Sequence, residues 1–269
     1  MERIQIALDK ARGRQDEVLL AGFAVKQPAE PPAAAKEELW ASLPVRTFDP
    51  ATLAASRIVT ATRSDPAYVA FGMLRTRIFQ EMHRNGWTSL AVTSPTAGCG
   101  KTLVSLNLAF SFAHQKDCRT LLLDMDLSRS RMNELLGLKT GTSVDQLLQG
   151  LTGPENVFVR YGDNLALATS ARPMRFSAEL LQNARTGEIL TDVRHKLRPN
   201  VIIYDMPPML SNDDLMAFLP TVDCAILVTA AETTKFAEAD RCERELAERT
   251  NLLGVVLNKC RYTQEEYGY

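Results

Sequence analysis

Three short stretches carry the residues whose types and spacing could do chemistry. The first is Ser94-Pro95-Thr96-Ala97-Gly98-Cys99-Gly100-Lys101-Thr102, set between the apolar run Leu90-Ala91-Val92 and the apolar-rich stretch from Leu103 to Ala113. A strand feeding a Gly-rich turn and then a helix N-terminus aims several backbone N–H groups, and the positive end of a helix dipole, at one anionic point. Gly98 and Gly100 let the backbone close around a phosphate. Lys101 reaches the β and γ phosphates, and the Thr102 hydroxyl completes the coordination of a Mg²⁺ ion that travels with a nucleotide. The generic pattern has Gly six residues before the Lys, and this chain has Pro95. A chance Gly-Cys-Gly turn is the plain alternative, and a dinucleotide-binding turn is disfavoured because Leu103 stands in the third glycine's place.

The other two stretches are acidic. Arg119 to Leu123 is a near-continuous apolar strand ending at Asp124-Met125-Asp126, and Val201-Ile202-Ile203-Tyr204 ends at Asp205, followed by Met206-Pro207-Pro208. Near-continuous apolar runs are expected of parallel strands buried on both faces. A phosphate loop needs such strand-end carboxylates, because Mg²⁺ takes oxygen ligands. Either site alone could equally be a helix cap.

These residues need a scaffold that brings strand ends together. Further strands are expected at Leu165 to Ala168, Cys224 to Val228 and Leu253 to Leu257, with helices over Ser177 to Gln182, Gly187 to Leu197, Asp213 to Leu219 and Thr233 to Arg249. Strands alternating with helices predict an α/β fold with a doubly wound, mostly parallel sheet, whose ligands bind at the strands' carboxyl ends. Tyr68 to His83 follows Asp65-Pro66 at helical spacing, with Phe71, Leu74, Ile78 and Met82 on one side and Gly86-Trp87 closing it.

N-terminal to this, Ile4, Ala7, Leu8 and Ala11 form the apolar stripe of a short helix, which packs on its own domain or docks on a partner. From Gln27 to Pro44 the composition turns to Pro, Ala, Glu and Lys, which reads as a semi-rigid linker. The expected division is therefore 1-60 for the helix and linker, 61-260 for the nucleotide-binding domain, and 261-269 for a polar tail. That tail holds Tyr262, Tyr267 and Tyr269, three of the chain's six tyrosines, where about 0.2 would be expected in eight residues. Packing does not explain the enrichment, which leaves a phosphoacceptor or an aromatic docking tail.

A chain of 269 residues with 45% hydrophobic content can fill one large α/β domain plus an appendage. A net charge of -1 gives no general reason to expect nucleic acid as a partner. Five cysteines without C-x-x-C spacing indicate neither a disulfide framework nor a zinc site, and fit a reducing cytoplasm. The longest early apolar run, Val18 to Val25, is far short of the roughly 20 residues a membrane span requires. Cys99, beside Lys101 at a helix N-terminus, has two influences that favour a reactive thiolate; an inert loop position is the alternative. His83, His114 and His195 are isolated and read as surface or packing residues.

From about residue 62 to 269 the sequence resembles the bacterial tyrosine kinases that regulate capsule and exopolysaccharide synthesis. In that family the loop runs T-S-x-x-x-G-x-G-K-[ST], matched by Thr93 to Thr102, Pro95 included as an unconstrained position. Leu121 to Asp126 matches its second Walker motif, and Ile202 to Pro208 its Walker B motif. Glu179-Leu180-Leu181 and Gly254-Val255-Val256-Leu257-Asn258 match two further segments, and the tyrosine-rich tail has its counterpart here. Two departures stand out. The family follows D-x-D with an apolar residue and Arg, where this chain has Leu127-Ser128-Arg129, and its oligomerisation motif E-x-x-R-x-x-R is replaced by Val69, Gly72 and Arg75.

The resemblance implies a P-loop NTPase fold and a protein-tyrosine kinase using ATP and Mg²⁺. Its candidate catalytic residues are Lys101, Asp124, Asp126 and Asp205. Nucleotide contacts would come from Ala97, Gly98, Cys99, Gly100, Lys101 and Thr102, and metal ligands from Thr102, Asp126 and Asp205. Phosphoacceptors would be Tyr262, Tyr267 and Tyr269. Asn258 is an adenine contact or a strand-end cap. The implied partners are a membrane-embedded polysaccharide co-polymerase or activator and further copies of the chain, held through tail and N-terminal helices, which would place the protein in the cytoplasm at the inner membrane. The competing readings are a nucleotide-gated ATPase scaffold without tyrosine transfer, and a partitioning ATPase of the deviant Walker type, which has a Lys where this chain has Thr96.

Overall fold

The computed structural model describes residues 39–61, 65–138, 143–174, 177–211 and 214–260. Its centre is a seven-stranded sheet of β1 (Ser89–Thr93), β2 (Thr120–Asp124), β3 (Val159–Tyr161), β4 (Leu165–Ala168), β5 (Val201–Asp205), β6 (Cys224–Ala230) and β7 (Asn251–Asn258), in the order β3-β4-β2-β5-β1-β6-β7. Every neighbouring pair is parallel except β3 with β4. The apolar runs are buried on both faces because the side-chain period of two feeds two cores. Leu90, Val92, Leu122 and Ile203 face α2 (Ala67–Asn85) and α3 (Lys101–Ala113), while Ala91, Leu121, Leu123 and Ile202 face α7 (Ala184–Leu197) and α9 (Phe236–Ala247). Shorter helices lie between: α1 (Pro50–Ala55), α4 (Met132–Leu135), α5 (Val144–Leu148), α6 (Ser177–Gln182) and α8 (Asp214–Phe218).

Strand order places the chemistry. β1 lies beside β5, and β5 beside β2, so the loop after β1 and the carboxylates ending β2 and β5 emerge at one edge of the sheet. In register, Asp124 stands opposite Asp205, and Asp205 opposite Val92.

The boundary near residue 60 is corrected. The compact unit runs from Glu37, and its first described residues are core. Trp40, Leu43, Phe48, Leu53 and Ile58 are buried. Trp40 Nε1 donates to the Asp163 carbonyl at 2.9 Å, Val45 forms a parallel bridge to Arg160, and the Phe48 ring lies 6.0 Å from that of Phe110. Linker-like composition between Gln27 and Pro44 concealed large apolar residues spaced a few positions apart, which anchor an irregular segment as effectively as a periodic helix. The helix expected near the N-terminus, the rest of the linker and the tail tyrosines lie outside the described residues. His114 is a packing residue, its Nε2 lying 2.8 Å from the Thr60 carbonyl.

Candidate functional site

The loop between β1 and α3 depends on backbone angles that favour glycine. Gly98 (φ 85°) and Gly100 (φ 91°) are both left-handed, and a Cβ on Gly100 would lie 2.3 Å from Asn258 Nδ2. That amide nitrogen donates to the Cys99 carbonyl at 2.9 Å, so Asn258 props the loop from the end of β7. On the other side, Thr93 Oγ1 donates to the Pro207 carbonyl at 2.8 Å, while Met209 and Leu210 N–H donate to the carbonyls of Ser94 and Pro95. Pro95 is thus tied through its carbonyl to the segment that follows Asp205. The Cys99 thiol is buried, with Sγ 3.5 Å from Thr234 Oγ1, and does not face the cleft as an open nucleophile.

Lys101 opens α3 and is itself buried. Its Nζ lies 2.7 Å from Asp126 Oδ2, 3.6 Å from Asp205 Oδ1 and 3.4 Å from Thr102 Oγ1. Ser105 Oγ donates to Asp205 Oδ1 at 3.2 Å, Ser128 Oγ to Asp126 Oδ1 at 3.3 Å, and Ser130 Oγ to Asp124 Oδ2. Two carboxylate oxygens, Asp124 Oδ1 and Asp205 Oδ2, are buried with no hydrogen-bond partner among the described residues. Three carboxylates therefore share one ammonium. Burial, then the charge of Asp205, pushes the Asp124 carboxyl up to about 7, against the pull of Ser130 and Lys101. Burial also raises Asp205, opposed by Lys101. Burial disfavours the Lys101 ammonium, but the charges of Asp205 and Asp126 outweigh it and hold its pKa above the ordinary value.

Among the described residues no three His, Cys, Asp or Glu side chains form a ready-made metal cage. Mg²⁺ does not require one, since it is ordinarily held by one or two carboxylates together with phosphate oxygens and waters. The unpartnered oxygens and the excess of negative charge fit such an ion. Beside the loop runs a groove of about 980 Å³, lined by Phe71, Leu74, Leu103, Val104, Leu257 and Asn258 among others.

The structure thus brings together Ala97 to Thr102, Asp124, Asp126, Asp205 and Asn258, while Tyr262, Tyr267 and Tyr269 lie outside the described residues. The sequence reading missed Ser105 and Ser130. Neither carries a local signal: Ser105 lies one helical turn after Lys101 and Ser130 in the segment after D-x-D, and only the fold brings each hydroxyl to a carboxylate.

The family model described as ParA, NUBPL iron-transfer P-loop NTPase, matches residues 87–268. Tyrosine-protein kinase CpsD of Streptococcus pneumoniae serotype 4 is 31% identical over 192 residues, covering 66% of this chain and 79% of CpsD. EpsB of Ralstonia solanacearum, assigned by name to the tyrosine-protein kinases, is 30% identical over 209 residues, 76% of this chain but only 27% of EpsB, so the chain spans about a quarter of that relative. The kinase domain of the Escherichia coli tyrosine kinase ETK shares the fold with a TM-score of 0.68 at 26% identity, covering 79% of this chain and 84% of that one. The VpsO kinase domain gives 0.64 at 28%, covering 76% and 97%. With its phosphate loop, paired strand-end carboxylates and parallel sheet, the chain belongs to the bacterial tyrosine-protein kinases, within the ParA-type P-loop NTPases.

Proposed function

We propose that the chain is an ATP-dependent protein-tyrosine kinase that phosphorylates Tyr262, Tyr267 and Tyr269 of a neighbouring copy and thereby regulates exopolysaccharide or capsule export. The observation that carries this reading is the surplus carboxylate. Asp126 and Asp205 suffice to help hold a metal ion, and Asp124 adds a third buried carboxylate with one oxygen unpartnered. Bound Mg²⁺ would supply charge neutralisation on the β and γ phosphates of ATP. Thr102, Asp126 and Asp205 would hold it directly or through water, and backbone N–H groups from Ala97 to Thr102 would bind the phosphates. Lys101 neutralises charge developing on the transferred group. The tyrosine Oη–P bond forms as the bond from the γ phosphorus to its bridging oxygen breaks, ADP leaves, and the phenolic proton passes to Asp124 Oδ1. A phenol titrating near pH 10 is oriented by this carboxylate and deprotonated late rather than ionised beforehand.

No helix among the described residues is long and apolar enough to cross a membrane, and membrane association is assigned to a partner co-polymerase. The ATPase-scaffold reading has one observation in its favour. Val69 is exposed, and Arg75 turns inward to donate to the Ser111 carbonyl at 2.9 Å, so the three positions that carry the family's oligomerisation motif present no outward charge. The test is intact mass spectrometry after incubation with Mg·ATP, with and without source membranes, beside Lys101→Met. Tyrosine-borne phosphate in the parent chain alone supports the kinase. ATP turnover without it supports the scaffold.

A further inference from the structure

We propose that Ser130 is a positioning residue for tyrosine transfer: its hydroxyl holds one oxygen of Asp124 so that the other is presented to the phenol. The inference rests on the kinase reading above and adds to it a residue outside the family motifs. Ser130 Oγ donates to Asp124 Oδ2 and lies 3.2 Å from the Ser170 carbonyl. One hydroxyl has one proton, and a carboxylate is the stronger acceptor. The Ser170 carbonyl is already served by Asn133 Nδ2 at 2.8 Å, so the proton is free for Asp124.

The serine cannot drift. Its segment lies between two buried anchors, Leu127 and Met132. Arg129 N–H donates to the Asp126 carbonyl at 3.1 Å, closing a turn, and Met174 N–H donates to the Leu127 carbonyl at 2.8 Å. The donor is thus held by backbone bonds on its N-terminal side and by the buried Met132 on the other, and its hydroxyl engages the Asp124 carboxylate at the end of β2. With Oδ2 engaged, Oδ1 remains the unpartnered oxygen. Without Ser130 the carboxylate keeps its place on the strand but loses the contact that selects its rotamer, and the fraction correctly oriented for transfer falls.

The test uses the full chain with Mg·ATP and follows phosphate incorporated on tyrosine in Ser130→Ala, Ser130→Thr, Asp124→Asn and the double variant Ser130→Ala/Asp124→Asn. Ser130→Ala should lower kcat by about tenfold while KM for ATP stays within about twofold, because outer contacts to a reacting group act on its orientation rather than on nucleotide binding. Ser130→Thr, which keeps the hydroxyl, should recover most of the rate. In the Asp124→Asn background Ser130→Ala should cost nothing more, since the two act as a unit. An unchanged kcat in Ser130→Ala beside an inactive Asp124→Asn overturns the role of Ser130 and leaves the kinase reading standing. A rise in KM without recovery in Ser130→Thr assigns Ser130 to the architecture of the nucleotide site and also overturns it. Full-rate transfer by Asp124→Asn sinks both.

Discussion

Replacing Asp124 with Asn should make the protein more stable at pH 8 while stopping transfer. Asp124 is 1% exposed and lies opposite Asp205 in the sheet register, while the Lys101 ammonium is already paired with Asp126 and Asp205. Burial and the Asp205 charge push its carboxyl up to about 7, against 3.8 for the free group. A folded-state pKa above the unfolded one means that, between these values, the folded chain keeps a proton the unfolded chain has released. Stability from this group is therefore complete below about pH 4 and is lost as pH rises to about 7. A gap of roughly three units at about 1.4 kcal/mol each sets a ceiling of about 4 kcal/mol. Asn keeps the size and still accepts from Ser130, but its amide occupies the place of the unpartnered Oδ1, which costs about 1–3 kcal/mol. The net expectation is a gain of about 2 kcal/mol at pH 8, roughly 5 °C in Tm, turning into a loss of about 2 kcal/mol at pH 4, where the amide cost remains and the ionisation gain is gone. Urea and thermal unfolding at both pH values, in chelator and without nucleotide, measure it. Adding Mg²⁺ should erase the advantage by stabilising the parent chain preferentially. Destabilisation by Asn at pH 8, or an effect independent of pH, would refute the argument that three carboxylates compete for one lysine.

Gly100→Ala should reduce affinity for a fluorescent ATP analogue by at least about tenfold, since the new Cβ meets Asn258 Nδ2 at 2.3 Å and φ is 91°; wild-type affinity would remove Asn258 as the prop of the loop. Trp40→Ala should cost about 3–5 kcal/mol in urea unfolding, because Trp40 is 3% exposed and bonded to Asp163; a loss below about 1 kcal/mol would return residues 39–61 to linker status. In the folded chain a maleimide should label exposed Cys260 while buried Cys99 stays protected until denaturation; equal labelling rates would contradict the packing of the thiol under Thr234.

The site was legible wherever one residue type at a strand end carried the argument. Apolar runs ending in Asp located β2 and β5, and a Gly-rich turn followed by Lys-Thr located the start of α3, because these features are local. β3 was missed because it has three residues, is only partly buried and owes its existence to antiparallel pairing with β4. Core residues from Trp40 to Ile58 were missed because they are anchored by contacts far along the chain, such as Trp40 to Asp163 and Phe48 to Phe110. Asn258 was read as a base contact or a cap, and which carbonyl its amide reaches depends on how β7 meets the loop, a tertiary fact. Ser130 was invisible for the same reason: its meaning comes from the turn that returns it to Asp124.

The chemistry must be sought in what this chain adds to the phosphate loop and its strand-end carboxylates. Thr96 stands where the deviant Walker reading places a lysine, and the positive charge at the loop is that of Lys101. Asp126 and Asp205 already pair with that charge at 2.7 and 3.6 Å. On the proposed reading Asp124 is then surplus to nucleotide binding. It is buried, crowded by Asp205 and pushed toward neutrality, which weakens the folded state, with the bond from Ser130 opposing only part of that cost. A carboxylate that costs stability and adds nothing required for holding the nucleotide is accounted for by a proton it must accept. Its raised pKa also suits proton acceptance, because a base titrating near neutrality binds a phenolic proton more readily than an ordinary carboxylate does, while remaining substantially ionised above pH 7. On the proposed reading, the third carboxylate is what turns an ATP-binding site into one that transfers phosphate to tyrosine.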